Sequence, residues 1–255
     1  MGRFDQKTVI VTGGVSGIGE GVTRAFLNEG ANVVMNCLPG EEAGAALYAE
    51  LEPQADGRCL LLEGDISKQN QVENLVGQSI ERFGRVDVFV SNAAAFDCYR
   101  PLLETSQELW DKVMDVNLRG NFFIAKAILP HMIENGGGSL IFIASIAGVI
   151  AGHGGAAYTT SKHGVVGLSK QITFHYGSKG IRCNTVCPGS IYTPLSGPFL
   201  DQPAAKEKLA RTPFGTHGQP RHIAGAVMYL ASDEAEFVHG TTMLVDGGNV
   251  VRKWD

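Results

Sequence analysis

Short apolar runs rich in Val and Ile recur along the chain at 7–12 (KTVIVT), 32–36 (NVVMN), 58–62 (RCLLL), 86–91 (VDVFVS), 139–144 (SLIFIA), 181–187 (IRCNTVC) and 242–245 (TMLV). Runs of this kind suit strands buried on both faces, as in a parallel sheet. Longer segments with helical patterning separate them, at 18–29, 41–52, 68–83, 105–135, 155–178 and 220–231. The first stops at Gly30, a common signal for the end of a helix. Alternation of this kind predicts an α/β fold: a single doubly wound parallel sheet of Rossmann type, about seven strands with helices on both faces. The rhythm runs from residue 7 to about 246 without a linker, so residues 1–255 read as one domain. Segment 190–219 interrupts it. Its prolines and glycines predict a long irregular loop, of the kind that serves as a lid.

Composition narrows the classes. Of 255 residues, 44% are hydrophobic and 18% charged, with a net charge of −5. That fits a packed globule and not a disordered chain. No basic block stands out, which argues against a nucleic-acid partner. No apolar run reaches the ~18 residues that span a bilayer. The N-terminal segment MGRFDQKTVIVTGG lacks the pattern of a signal peptide. Gly2 invites myristoylation, but Gln6 stands where that signal needs Ser or Thr. The expectation is a cytoplasmic protein with no membrane partner. Five cysteines, at 37, 59, 98, 183 and 187, are scattered. Cys183 and Cys187 share a predicted strand, about 13 Å apart, whereas a disulfide needs Cα atoms within ~7 Å. No metal-ligand spacing is present. The cysteines read as reduced thiols, and no metal is expected.

Chemistry enters with the turn after the first strand, Thr12-Gly13-Gly14-Val15-Ser16-Gly17-Ile18-Gly19. Glycines let the backbone turn sharply and approach a pyrophosphate, and the following helix offers free N–H groups and the positive end of its dipole. Between strand and helix of an alternating chain, this spacing points to a dinucleotide. At the end of the second strand an acidic residue would bind the adenosine ribose, and an arginine a 2′-phosphate. The chain has Cys37 and Leu38 there, and neither charge. Without a cation a 2′-phosphate is poorly compensated. The reading therefore leans to NAD over NADP. Further clusters sit near later strand ends: Ser91-Asn92-Ala93-Ala94, Asp115-Val116-Asn117, Ala144-Ser145, and Tyr158 with Lys162. In an open parallel sheet, ligands bind beyond the carboxyl ends of the strands, so these converge on one crevice.

Together these motifs resemble the short-chain dehydrogenase/reductase family over nearly the whole chain. The resemblance rests on the TGGVSGIG turn, Asp65 in GDIS, the Asn92-Ala93-Ala94 triplet, Asn117, Ser145, the Tyr158–Lys162 pair, Pro188-Gly189 with Thr193, and Val245-Asp246-Gly247-Gly248. It implies an NAD(P)-dependent oxidoreductase that interconverts a secondary alcohol and a ketone, with Asn117, Ser145, Tyr158 and Lys162 as the catalytic set. It implies cofactor contacts from Gly13, Ser16, Gly17, Ile18, Gly19, Cys37, Asp65, Ile66, Asn92, Ala93, Tyr158, Lys162, Pro188, Gly189, Ile191 and Thr193. It also implies a homotetramer. Ala94 stands where the family usually has glycine.

The residue types suit the chemistry. A ketone reduced by hydride needs a proton, and a tyrosine can supply it. Its free pKa of ~10 is high for this work, so a nearby ammonium is expected to lower it. Positions i and i+4 share a helix face, which places Lys162 beside Tyr158. By the resemblance, Lys162 also bonds the nicotinamide ribose, Ser145 polarises the carbonyl, and Asn117 anchors a water leading from Lys162 to solvent. Asn117 also reads as a structural amide, a role compatible with the first, and Asp65 as a cap for the helix that begins near Ser67, although the resemblance puts it beside the adenine. Ser145, His153, Phe96, Tyr192 and Phe199 are candidates for the substrate pocket, with Tyr99, Leu195, Pro198 and Leu200 adding apolar surface. Arg100 and Arg211 are the nearest candidates for binding an anionic substrate. A neutral alcohol or ketone fits better, sugar-like and acyl-derived carbonyls included. Two other readings stay open: a dinucleotide-binding regulator without turnover, and an epimerase or lyase on the same fold.

Overall fold

Strand β1, Thr8–Thr12, is buried at every position. Val9 and Val11 point into one apolar layer and Ile10 into the other, because successive side chains on a strand face opposite ways. This two-sided burial is why the strands appear in sequence as unbroken apolar runs. The structure, a computed structural model, describes residues 2–251. Among the described residues, β2 (Asn32–Cys37), β3 (Cys59–Glu63), β4 (Val88–Ser91), β5 (Gly138–Ile143), β6 (Ile181–Pro188) and β7 (Thr242–Val245) complete a seven-stranded sheet in the order β3-β2-β1-β4-β5-β6-β7. All pairings are parallel.

Helices α1 (Gly17–Asn28), α2 (Glu42–Ala55) and α9 (Pro220–Ala231) cover one face, through Val22, Phe26, Leu47, Ile223 and Val227. Helices α3 (Gln69–Phe83), α5 (Gly120–Glu134) and α6 (Ala156–Tyr176) cover the other, through Val72, Leu75, Ile124, Ile128 and Val165. Each such fully buried side chain contributes about 1.5–3 kcal/mol of burial free energy. Among the described residues, no helix is long and apolar enough to cross a membrane.

Three features position the site. First, β1 lies between β2 and β4, so the chain leaves it in one direction and resumes beyond it in the other. The loops after β1 and β4 diverge there and open a crevice. Second, the predicted helix 105–135 is α4 (Gln107–Met114) continued into α5 through a wide π turn at Asp115–Arg119, where Gly120 N–H bonds to Asp115 O. Such turns insert one extra residue. Third, segment 190–219 departs from the expected irregular loop. It contains α7 (Gly197–Leu200) and α8 (Pro203–Ala210). Pro198 and Pro203 sit in the first turns of these helices, where a missing N–H costs nothing.

Candidate active site

The crevice has a volume of about 640 Å³ and runs along the carboxyl ends of β1, β2, β4, β5 and β6. Its floor is the glycine turn. Gly13 and Gly17 have φ of +57° and +52°, a region that favours glycine. A Cβ at Gly19 would stand 1.9 Å from Gly13 O, so the first turn of α1 closes tightly on the loop. Asn92 holds that loop from the next strand: its Nδ2 donates to Thr12 O at 3.1 Å and Gly13 O at 3.0 Å. The Thr12 hydroxyl accepts from the N–H groups of Asn92 and Ala93. Backbone N–H groups at the start of α1 are thereby presented to the crevice, and a dinucleotide pyrophosphate fits this cradle.

At the β2 end, Asn36 is buried and donates to Cys37 O, Leu62 O and Gly64 O. Cys37 borders the crevice, but its side chain is 2% exposed and packs beneath α2 at Gly44. Burial pushes its thiol up to about 11. Leu38 is exposed at the rim. A carboxylate that the reading of Cys37 and Leu38 overlooked sits here: Glu41 lines the crevice and accepts from Leu38 N–H at 3.2 Å. Glu63 accepts from Gly40 N–H at 3.1 Å in the same loop. Among the described residues, the lysines lining the crevice are Lys112 on α4 and Lys162 on α6, and no arginine lines it. Asp65 accepts from Ser67 N–H at 2.9 Å, ahead of α3, whose N-cap is Lys68 with no side-chain capping bond, so Asp65 does not cap that helix; it borders the crevice.

Tyr158 and Lys162 lie one turn apart on α6. Lys162 is 2% exposed; its Nζ donates to Ile143 O at 2.8 Å and stands 5.5 Å from the Tyr158 ring centroid. Burial pulls the Lys162 ammonium down to about 8. Burial pushes the Tyr158 phenol up to about 12, opposed by its interaction with the Ser145 hydroxyl. This is opposite to the direction expected from the ammonium: desolvation of the phenolate is the largest cause, and the Ser145 hydroxyl is the group that opposes it. Ser145 caps the short turn Ile146–Gly148 by accepting from Ala147 N–H at 3.1 Å. Asn117, in the π turn, is fully buried. Its amide bonds both backbone groups of Ala95, at 2.8 and 2.9 Å, and donates to Ser161 Oγ at 3.0 Å. These bonds tie the loop after β4 to α6.

Beyond Tyr158 the crevice is aromatic. The Phe96 ring packs edge-on against Tyr99 and Tyr158, each at 5.0 Å between centroids, and against Phe199 of α7 at 5.9 Å. Leu109, Ile146, Leu195 and Leu200 add apolar surface, and His153 lies on the lining. Arg100 and Arg211 do not line the crevice; they pair with Glu104 and Glu207. Of the other residues singled out from sequence for cofactor, chemistry or substrate, all but Gly19, Asn117, Tyr192 and Pro198 line this one crevice. Gly19 and Asn117 shape it from behind. Pro198 lies with Tyr192 on an adjoining groove, where the Tyr192 hydroxyl donates to Asp201 at 2.9 Å. All five cysteines are free thiols.

Comparison with known proteins agrees with this geometry. Residues 13–249 match the family model described as enoyl-(acyl carrier protein) reductase. The 3β-hydroxysteroid dehydrogenase 2 of Eggerthella lenta is 38% identical over 247 residues, covering 95% of this chain and 94% of that protein. An L-rhamnose 1-dehydrogenase (NAD(P)(+)) of a Sphingomonas species is 35% identical over 253 residues, covering 98% and 99%. Among solved structures, levodione reductase superposes with a TM-score of 0.91 at 34% identity, covering 97% of this chain and 99% of that one.

Proposed function

The chain belongs to the short-chain dehydrogenase/reductase family, and on that premise we propose that Tyr158 is the acid–base group for interconversion of a neutral secondary alcohol and its ketone. Enzymes of this family are NAD(P)-dependent oxidoreductases acting on alcohol and carbonyl groups, and this chain is one of them. The observation that carries the reading is the phenol of Tyr158, between Ser145 and Lys162, at the junction of the glycine cradle and the aromatic wall.

The bound nicotinamide supplies the hydride chemistry. The protein supplies orientation and a proton. The Ser145 hydroxyl donates to the substrate oxygen as a neutral group. Tyr158 delivers its proton to that oxygen in reduction and takes it back in oxidation. With a phenol held near 12, the protonated form prevails at neutral pH, which favours the acid role. Lys162 is held by Ile143 O beneath the phenol, within the cofactor half of the crevice. Asn117 acts as a positioning residue, through Ala95 and Ser161.

NAD is the favoured cofactor. A 2′-phosphate at the β2 end would meet the Glu41 carboxylate, and among the described residues no lysine or arginine lines the crevice at that end. For the substrate, the ring cluster of Phe96, Tyr99 and Phe199, with no lining arginine among the described residues, favours a cyclic body of low charge over a phosphorylated one. The relatives act, by their names, on a steroid, on rhamnose and on levodione. The test follows absorbance of the reduced cofactor, with NAD and NADP separately, against cyclohexanone, a 3-ketosteroid and L-rhamnose. Tyr158→Phe is expected to abolish turnover and to leave cofactor affinity within about twofold. Wild-type rates in that variant would sink the mechanism. Tight NAD binding without turnover on a wide panel would favour the regulator reading instead.

A further inference from the structure

Helix α6, which carries Tyr158 and Lys162, begins at Gly155, a residue with no side chain to cap it. Its first N–H groups need partners, since the opening turn of a helix leaves them unpaired. They are met from another part of the chain. Asp97, 1% exposed, accepts from Gly155 N–H through Oδ1 at 2.9 Å and from Tyr158 N–H through Oδ2 at 2.8 Å. Ala156 N–H donates to Arg100 O at 3.1 Å. Three donors at the head of the catalytic helix thus go to one four-residue segment after β4. A carboxylate suits that position, because the helix dipole presents its positive end there.

The same segment carries the aromatic wall. Phe96 and Tyr99 flank the Asp97 turn, and Phe96 touches both the Tyr158 ring and the Phe199 ring of α7. Cys98 and Tyr99 adopt φ of +52° and +60°, conformations that non-glycine residues adopt uncommonly. Such backbone persists only where the surroundings hold it. Here the holding contacts are the turn's own bond from Arg100 N–H to Asp97 O at 3.1 Å, the two bonds that the Asp97 carboxylate accepts, and the one that Arg100 O accepts. A Cβ at Gly155 would lie 2.6 Å from Asp97 Oδ2, so the fit at this joint leaves no slack.

We propose that Asp97 is a positioning residue that couples the substrate wall to the reacting tyrosine: its carboxylate fixes the backbone of Tyr158 and, through the strained turn at residues 98 and 99, the rings that contact substrate. The proposal rests on Tyr158 as the acid–base group. Substrate that seats against Phe96, Tyr99 and Phe199 thereby loads a segment bonded directly to the Tyr158 backbone, so seating and proton transfer are set by one element.

The charge of Asp97 also faces the phenol. The groups around Tyr158 are Lys162 on its own helix, Asp97 and Tyr99 from the loop after β4, Cys187 from β6, Ser145 after β5, and His153 on the crevice lining before α6. Asp97 raises the phenol, so neutralising it moves the pH limb of Tyr158 to lower pH.

The test is Asp97→Asn, with Tyr158→Phe in parallel, using the holoenzyme with NAD and cyclohexanol or whichever probe of the panel turns over. The expected result is a kcat lower by about tenfold to a hundredfold, since small misplacements at a reacting group cost that much. NAD affinity by titration calorimetry stays within about twofold. The pH limb shifts downward, and amide exchange at Gly155 and Tyr158 accelerates. A purely structural Asp97 would lower the active fraction and leave the limb where it is. Asp97→Glu keeps the charge with one extra methylene, so kcat per active site falls, exchange at Gly155 and Tyr158 accelerates and the limb stays; if Asp97→Asn does not fold, wild-type kcat and exchange in Asp97→Glu overturn the proposal. Unchanged kcat and exchange in the folded variant overturns the proposal, as does a fall in kcat with an unmoved limb in Asp97→Asn. Wild-type rates in Tyr158→Phe would overturn the acid–base reading itself, separately from the role of Asp97.

Discussion

Replacing Lys162 by Met is expected to silence the enzyme and, at neutral pH, to make its fold more stable. The ammonium is buried, and its pKa falls from 10.5 to about 8. At about 1.4 kcal/mol per pKa unit, the charged form is disfavoured in the folded chain by roughly 3 kcal/mol relative to the unfolded one. The variant also loses the bond from Nζ to Ile143 O, worth about 1 kcal/mol. The net gain at pH 7 is therefore about 2 kcal/mol. Its pH dependence identifies the cause. With the folded pKa below the unfolded one, the unfolded chain holds the proton more tightly between the two values. Wild-type stability accordingly rises as pH climbs from about 8 towards 10.5, and the variant lacks this rise. The advantage of the variant is full below pH 8, shrinks through that window, and reverses to a deficit of about 1 kcal/mol above it. Urea unfolding of both proteins at pH 7 and pH 10, with slopes compared to check that the same surface is exposed, measures the difference directly. An advantage equal at both pH values, or one that grows with pH, would refute the reasoning.

Two further predictions concern the cofactor half of the crevice. Gly19→Ala puts a methyl 1.9 Å from Gly13 O and 2.7 Å from Asn92 Nδ2; because a backbone carbonyl cannot yield easily, the turn must open, and NAD affinity by calorimetry should fall at least tenfold. Glu41→Gln removes the carboxylate at the β2 end, and the ratio of NAD to NADP dissociation constants should move towards NADP by about tenfold, the scale of one charge-assisted hydrogen bond; an unchanged ratio would place selectivity elsewhere.

Much of the fold was legible because the sheet is covered on both sides. Strands such as Thr8–Thr12 and Gly138–Ile143 bury nearly every position, and their central apolar runs leave a clear signal. The glycine turn and the Tyr158–Lys162 pair were legible for a different reason: each depends on neighbours in sequence. What escaped depends on contacts between distant segments. Asp97 reads as one acid among loop residues, and only its partners 58 and 61 positions away give it a role. Glu41 lies beyond the strand end where a ribose ligand is sought, yet its side chain folds back to Leu38. Helices α7 and α8 were hidden because Pro198 and Pro203 read as breakers, whereas at the first turn proline starts a helix. The direction of the Tyr158 phenol was missed because sequence adjacency reveals the ammonium but not the burial that desolvates the phenolate.

The wide turn at Asp115–Arg119 constrains how the gene itself can change. One residue more or less in a helix rotates everything after it by about 100°. The extra residue here sets α5 in phase with the sheet, with Ile124, Ile128 and Met132 directed into the core, while α4 keeps its own phase against α6. Between Gln107 and Glu134 the register is thus a count of residues and not a pattern of side chains. Point substitutions leave that count intact, and even conservative ones at exposed positions cost little. A single-codon deletion would swing the α5 core face towards solvent and pull Asn117 from Ala95. In a library of insertions and deletions this interval should be the longest stretch without survivors, although many of its individual side chains are replaceable.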